Sequence, residues 1–337
     1  MPVTDEAKTD AGLDPTADAS SLLDGRRDLP AVLVVGAASR DLVDDDPRGW
    51  RLGGGVSYSA LMVARLGLPT RAVVGVDEEA ATATELDLLR EAGVDLALVP
   101  LRRGPVFVNR ERPEGRLQIS NGPSDPLPVD AVPEAWRASG GWLLAPVADE
   151  LPGDWADAPP PDAIVAVGWQ GLLRELWPEE PVRMIAPAPG RIVGRADLAS
   201  ISREDVHADT PVGELVGFLR DGATLVVTQG DRGGIVATAN DGLVRLRHYP
   251  AVRSHRPVDA TGAGDTFLAA LTAARIEPRL VGRRTGTGHD LLLAAAAASL
   301  VLEGHGLSGV PDRDALARRM AEGASAFERA SGDEAPA

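Results

Sequence analysis

Short, continuous apolar runs punctuate the chain from residue 31 onward. Ala31–Gly36 (AVLVVG) is the first, and similar runs recur at Arg71–Val76, Trp142–Val147, Ala163–Val167 and Thr224–Thr228. Runs of this length without polar alternation fit strands buried on both faces of a parallel sheet. Segments with helical character lie between several of them, at Ser57–Leu66, Thr82–Ala92 and Pro211–Arg220. Such strand–helix alternation predicts an α/β fold with a doubly wound, mostly parallel sheet and right-handed crossovers. Two stretches break the pattern. Residues 96–121 read as short strands with turn residues (LALVPL, PVFVNRE, RLQIS), which predicts a small antiparallel lid inserted into the α/β domain. Residues 233–249 read as a hairpin turning at Asp241–Gly242. The last third is helical, at Gly264–Ala274 and Asp290–Leu302.

The two ends carry a different pattern. Residues 1–28 are rich in Asp, Ala and Thr and lack periodicity, so a disordered acidic tail is expected there. Residues 322–337 fade into small and acidic residues, the mark of a frayed C-terminus, which leaves 29–321 as the folded domain. The tail has no apolar core of a signal peptide, and the longest strongly apolar run, Leu291–Leu302, is too short to span a bilayer of roughly 30 Å as a helix. A cytoplasmic protein is the expectation.

Composition narrows the chemistry. The 337 residues, 44% hydrophobic and 25% charged, suit one large α/β domain or two modest ones. A net charge of −16 and only 4% aromatic residues argue against nucleic acid or an anionic membrane as partner. The absence of cysteine excludes disulfides, thiolate nucleophiles and Cys-ligated metal centres. The sole lysine is Lys8, in the tail, and the other 33 basic residues are arginines. A P-loop lysine and Schiff-base chemistry are thereby set aside. Phosphate charge would have to be met by Arg, backbone N–H groups, a helix N-terminus or a metal. His207 and His289 have no partner at ligand spacing.

The strongest chemical signal is Asp259-Ala260-Thr261-Gly262-Ala263-Gly264-Asp265-Thr266-Phe267. A small-residue turn, Thr261 to Gly264, opens into an apolar helix. Its first N–H groups point outward at the positive end of the helix dipole, a ready anion site. Asp265 stands in that first turn, where it serves either as a helix cap or as a carboxylate beside a bound anion.

PVDATGAGDTF closely resembles the second signature of the ribokinase-like (PfkB) carbohydrate kinases. A first signature is matched by Gly53-Gly54-Gly55-Val56-Ser57-Tyr58-Ser59-Ala60 leading to Leu66-Gly67, and the family's Thr-x-Gly-x-x-Gly turn by Thr228-Gln229-Gly230-Asp231-Arg232-Gly233. The resemblance covers roughly residues 31–315. It implies a three-layer αβα sandwich with a β-strand lid, built from about 42–53 and 96–121. It also implies an ATP- and Mg²⁺-dependent transfer of a phosphoryl group onto a small polyol. Asp265 would be the base, and the amides of Gly262, Ala263 and Gly264 the anion hole. Asp41, Gly53, Gly54 and Tyr58 would bind substrate, while Ser202, Thr228, Gly230 and Gly233 would contact ATP.

The chain departs from the family at two places. Tyr58 stands where the family carries a sugar-binding Asn, which predicts a flat, partly apolar pocket wall. The family's Asn-x-x-Glu motif is present only as Ser202-Arg203-Glu204-Asp205, with Asp205 left as the metal-side carboxylate or as a helix cap. The short Asp41–Gly53 connection is more similar to the inositol-kinase-like members and implies a monomer or weak homodimer. Arg253, His255 and Arg256 read as a solvated face, Asn109 and Arg110 as lid residues, His305 as lying near the adenine, and Gln170 as lying outside the cleft. A nucleoside kinase and a non-catalytic polyol- or nucleotide-binding relative remain alternatives. A dinucleotide-dependent dehydrogenase is disfavoured, because GAASRD follows the first strand in place of G-x-G-x-x-G.

Overall fold

A computed structural model describes residues 29–112, 115–281 and 288–332, so the tail expected at 1–28 lies outside the described residues. Strand β1 (Val32–Ala37) leads through β2 (Arg40–Leu42) and β3 (Trp50–Leu52) to helix α1 (Gly55–Arg65). β4 (Thr70–Val76), α2 (Glu85–Glu91) and β5 (Val94–Pro100) follow, then the hairpin β6 (Val106–Arg112) and β7 (Gly115–Asn121). β8 (Gly141–Leu144) and β9 (Ile164–Gly168) return to the sheet before the short strands β10 (Arg174–Glu175), β11 (Pro178–Pro181) and β12 (Arg183–Met184). The second half runs α3 (Arg191–Arg195), β13 (Leu198–Ser202), α4 (Val212–Val216), β14 (Thr224–Thr228), β15 (Gly234–Asn240), β16 (Leu243–Tyr249), α5 (Ala263–Ile276), α6 (His289–Val301) and α7 (Arg313–Gly332).

The main sheet has the order β16-β15-β14-β13-β9-β8-β1-β4-β5. All neighbours are parallel except along β14-β15-β16, where the expected hairpin turns with positive φ at both Asp241 and Gly242. The chain starts at β1, winds out to β4 and β5, and returns on the other side of β1 at β8. The switch point therefore lies between β1 and β8, where open α/β sheets form a crevice at the carboxyl ends of their strands.

Every residue of β1 is buried, and successive side chains enter opposite faces. Val32 and Val34 join a core with α1, α5 and α6, while Leu33 and Val35 join a second core with Trp142, Trp155 and Trp169. That explains why β1 reads as an uninterrupted apolar run. The second core is covered by short elements: the helix expected over Pro211–Arg220 is regular only over Val212–Val216. Three fully buried tryptophans fill the volume that long helices would otherwise occupy.

Two expectations are corrected. LALVPL does not belong to the lid: it lies in β5, which pairs in parallel with β4 from Thr70↔Val94 to Val76↔Pro100. As an edge strand β5 is only half-buried, so its pattern resembles that of a lid strand. The lid is a separate sheet of order β11-β7-β6-β2-β3, which recruits Pro178–Pro181 from far along the chain. The C-terminus also differs, since α7 continues through the expected fray point at 322 to Gly332. Phe327 is buried against the main core, which holds that stretch down. Among the described residues no helix is long and apolar enough to cross a membrane.

Candidate active site

Two helix starts converge at the switch point. Helix α1 is preceded by Gly54 (φ 88°) and helix α5 by Gly262 (φ 80°), backbone conformations that favour glycine. The Gly53–Gly55 turn is in contact with both candidate carboxylates. A Cβ placed on Gly55 would lie 2.6 Å from Asp265 Oδ1, and one placed on Gly53 would overlap Asp41 Oδ2. Ser39 Oγ donates to Asp41 Oδ1 at 3.0 Å and steadies it. Asp41 and Asp265, 224 positions apart in sequence, thus flank one glycine turn. The rim at Gly264 is open, with no atom within 4 Å of where a Cβ would stand. Asp259 accepts from the amide of Thr261 at 2.9 Å and shapes the loop that enters α5.

Burial pushes the Asp265 carboxyl up from its ordinary 3.8 to about 6. Arg174 opposes that rise, and the negative charge of Asp205 adds to it. Arg174 stands on β10 with its guanidinium carbon 5.8 Å from the Phe107 ring centroid, so Phe107 and Asp265 share one cation. Nothing in the sequence motifs pointed to Arg174, which lies in an irregular segment where it pairs with Met184 across the short β10–β12 ladder.

Asp205 sits in a capping box: its Oδ2 accepts from Ser202 N at 3.1 Å, and Ser202 Oγ accepts from Glu204 N. Gln170 Nε2 donates to Asp205 Oδ1 at 2.7 Å, which corrects the expectation that Gln170 stays outside the cleft. Its position just after β9 was the available signal, since site residues of such sheets follow the strand ends. Among the described residues no group of three or more His, Asp or Glu could hold a metal on its own. The donor set fits Mg²⁺ in one form only, with Asp205 assisting an ion held mainly by phosphate oxygens and water.

The other expected residues divide. Ser202 and Thr228 are register partners at the ends of β13 and β14. Beyond them Gly230 (φ 59°) faces open space, whereas Gly233 (φ 83°) is packed beneath the Tyr249 carbonyl and shapes the turn without facing the cleft. Tyr58 requires a correction: it is 1% exposed and its ring fills the space where a Gly262 side chain would go. It supports the anion loop from behind and forms no pocket wall, because α1 turns that position into the core. Asn109 accepts from Gln118 across the lid hairpin, and His255 pairs with Glu322 on α7.

Sequence motifs also gave no hint of Glu150. Its side chain is fully buried and accepts backbone N–H groups from Ala37, Val147 and Ala148. Burial pushes its carboxyl above the ordinary range, against the pull of those amides.

Residues 210–313 match the model of the pfkB family carbohydrate kinases, the segment that contains both the Thr228 turn and the Asp265 loop. Over those residues, about a third of its length, the chain is similar to the pfkB family carbohydrate kinases. Among curated proteins, a nucleoside kinase of Methanocaldococcus jannaschii is 28% identical over 112 residues, 32% of each chain, so the match spans about a third of that relative's length. Among solved structures, a pyrophosphate-dependent kinase in the ribokinase family, complexed with a pyrophosphate analog and myo-inositol, aligns with TM-score 0.67 and 20% identity over 85% of this chain and 99% of that one. The ribokinase of Thermotoga maritima aligns with TM-score 0.62 and 17% identity over 87% and 100%. The nucleoside kinase structure from M. jannaschii aligns with TM-score 0.61 and 14% identity over 87% and 99%. The ribokinase-like fold thus extends over nearly all of the described chain.

Proposed function

We propose that this chain is a kinase that transfers a phosphoryl group from ATP to a hydroxyl of a small polyol, with Asp265 as base. The observation that carries the reading is the seating of Asp41 and Asp265 on the two sides of the Gly53–Gly55 turn, with the start of α5 beside them. Asp41 would orient the polyol by accepting from its hydroxyls. Asp265, with a pKa of about 6, is mostly ionised at neutral pH and can take the proton of the attacking hydroxyl. The hydroxyl oxygen then bonds to the transferred phosphorus as the bond to the leaving phosphate oxygen breaks. The amides of Gly262, Ala263 and Gly264 hold the charge on the transferred group. Mg²⁺, when bound, would neutralise donor phosphate charge near Asp205 and Gln170. Thr228, Gly230 and Ser202 would line the donor side, and Gly233 would set the turn.

A second donor reading rests on the alignment with a pyrophosphate-dependent kinase: pyrophosphate could replace ATP on the same anion site. That relative's complex with myo-inositol places a cyclitol among the acceptors to try, beside nucleosides and sugars. The short lid connection favours a monomer or weak homodimer, and a tight dimer in sedimentation velocity would refute that. The deciding assay crosses Mg·ATP and Mg·pyrophosphate with a panel of cyclitols, sugars and nucleosides, beside Asp265→Asn. Turnover with one acceptor class, lost in the variant, supports the kinase. No acceptor-dependent turnover, with unaltered ligand binding by the variant, would favour a non-catalytic binding protein.

A further inference from the structure

The buried Glu150 carboxylate joins the two chain segments on which the glycine turn rests. Its Oε1 accepts from Ala37 N at 2.9 Å, at the end of β1, and its Oε2 accepts from Ala148 N at 2.7 Å, in the turn after β8. Val147 N lies between them, at 3.1 Å and 3.0 Å from the two oxygens. Asp149, with φ 62°, bends the loop so that these amides face the carboxylate.

Both tethered segments support the site. A Cβ on Gly54 would lie 2.5 Å from Ala37 O and 2.9 Å from Ser39 N, so the start of α1 rests directly on the end of β1. Ser39 in turn holds Asp41. On the other side, a Cβ on Gly55 would lie 3.1 Å from Ala145 Cβ, three residues before Ala148, and 2.6 Å from Asp265 Oδ1. Ala148 also packs against Phe107 of the lid and Leu176. One carboxylate thereby sets the spacing between the β1 end that carries Asp41 and the β8 turn that abuts Gly55 and Asp265.

We infer that Glu150 is a positioning residue for the acceptor: it fixes Asp41 relative to Asp265 and leaves the donor side on β13 and β14 untouched. A carboxylate suits this task because it has two oxygens for three donors and no hydrogen of its own to oppose them. The inference rests on the reading of this cleft as a kinase site. A purely structural carboxylate would be expected to alter both substrates' constants together, or neither.

The test is Glu150→Gln. Its amide has one accepting oxygen, so either Ala37 N or Ala148 N meets an NH₂ group, and a buried donor is left unsatisfied. With the acceptor that the parent turns over, the acceptor KM should rise about fivefold or more while the donor KM stays within about twofold. Glu150→Asp keeps the charge but is one methylene shorter, and it should give the same split. It carries the test if Glu150→Gln fails to fold. Equal shifts in both KM values, or none in a folded variant of an active parent, would overturn the inference and spare the kinase reading. A parent without acceptor-dependent turnover would overturn both.

Discussion

Replacing Asp265 by Asn should make the protein more stable at pH 8 while removing its activity. The carboxyl is held at about 6 against an ordinary 3.8, chiefly by burial. Its charged form is thus less favourable in the folded state than in the unfolded chain. The sign follows: the folded state is penalised wherever Asp265 is ionised, fully above about pH 6 and not at all below about pH 4. A shift of about two units corresponds to at most about 3 kcal/mol, and partial contact with solvent reduces that to about 2 kcal/mol. Asn has nearly the same shape and no charge, so it escapes the penalty. For a chain of this size about 2 kcal/mol raises the unfolding midpoint by about 3 °C. Thermal unfolding of parent and variant at pH 8 and pH 4, with turnover measured at pH 8, reads both effects. A gain at pH 8 that vanishes at pH 4, with activity lost, is the expected result. No gain at pH 8, or an equal gain at both pH values, would refute the claim that burial strains this carboxylate.

Arg174→Gln removes the cation that opposes the rise at Asp265, so the acid limb of the kcat/KM profile should move to higher pH than the parent's limb near 6. An unmoved limb would show that Arg174 does not act on Asp265. Gly262→Ala forces a side chain into the Tyr58 ring at a left-handed φ, and should lower stability by about 1–3 kcal/mol in denaturant unfolding and impair turnover. The paired variant Gly262→Ala with Tyr58→Leu, which vacates the ring position, should recover part of that loss. No recovery would mean that backbone strain alone dominates.

Sheet class and most strand positions were legible in the sequence because β1, β4, β8, β9 and β14 are buried on both sides and so carry continuous apolar runs, whereas β13 (LASIS) carries two serines and was not read as a strand. The hairpin at Asp241–Gly242 was legible because its turn needs two residues at positive φ. The glycine signatures were legible for a related reason: tight turns at helix starts constrain residue type locally, so Gly53–Gly55 and Gly262–Asp265 stand out in one dimension. β5 was misread because an edge strand shares the pattern of a lid strand. Tyr58 was misread because only the rotation of α1 decides which side of the anion loop its ring takes. Arg174 and Glu150 left no mark and Gln170 was misjudged, since their roles arise from contacts across long stretches of chain: Gln170 with Asp205 35 positions away, and Glu150 with Ala37 113 positions away. Local backbone demands are written in residue type, and these the sequence determined by itself. Which charges meet in the cleft, and at what pKa, depends on how the strand ends and the lid pack around it, and that only the tertiary structure decided.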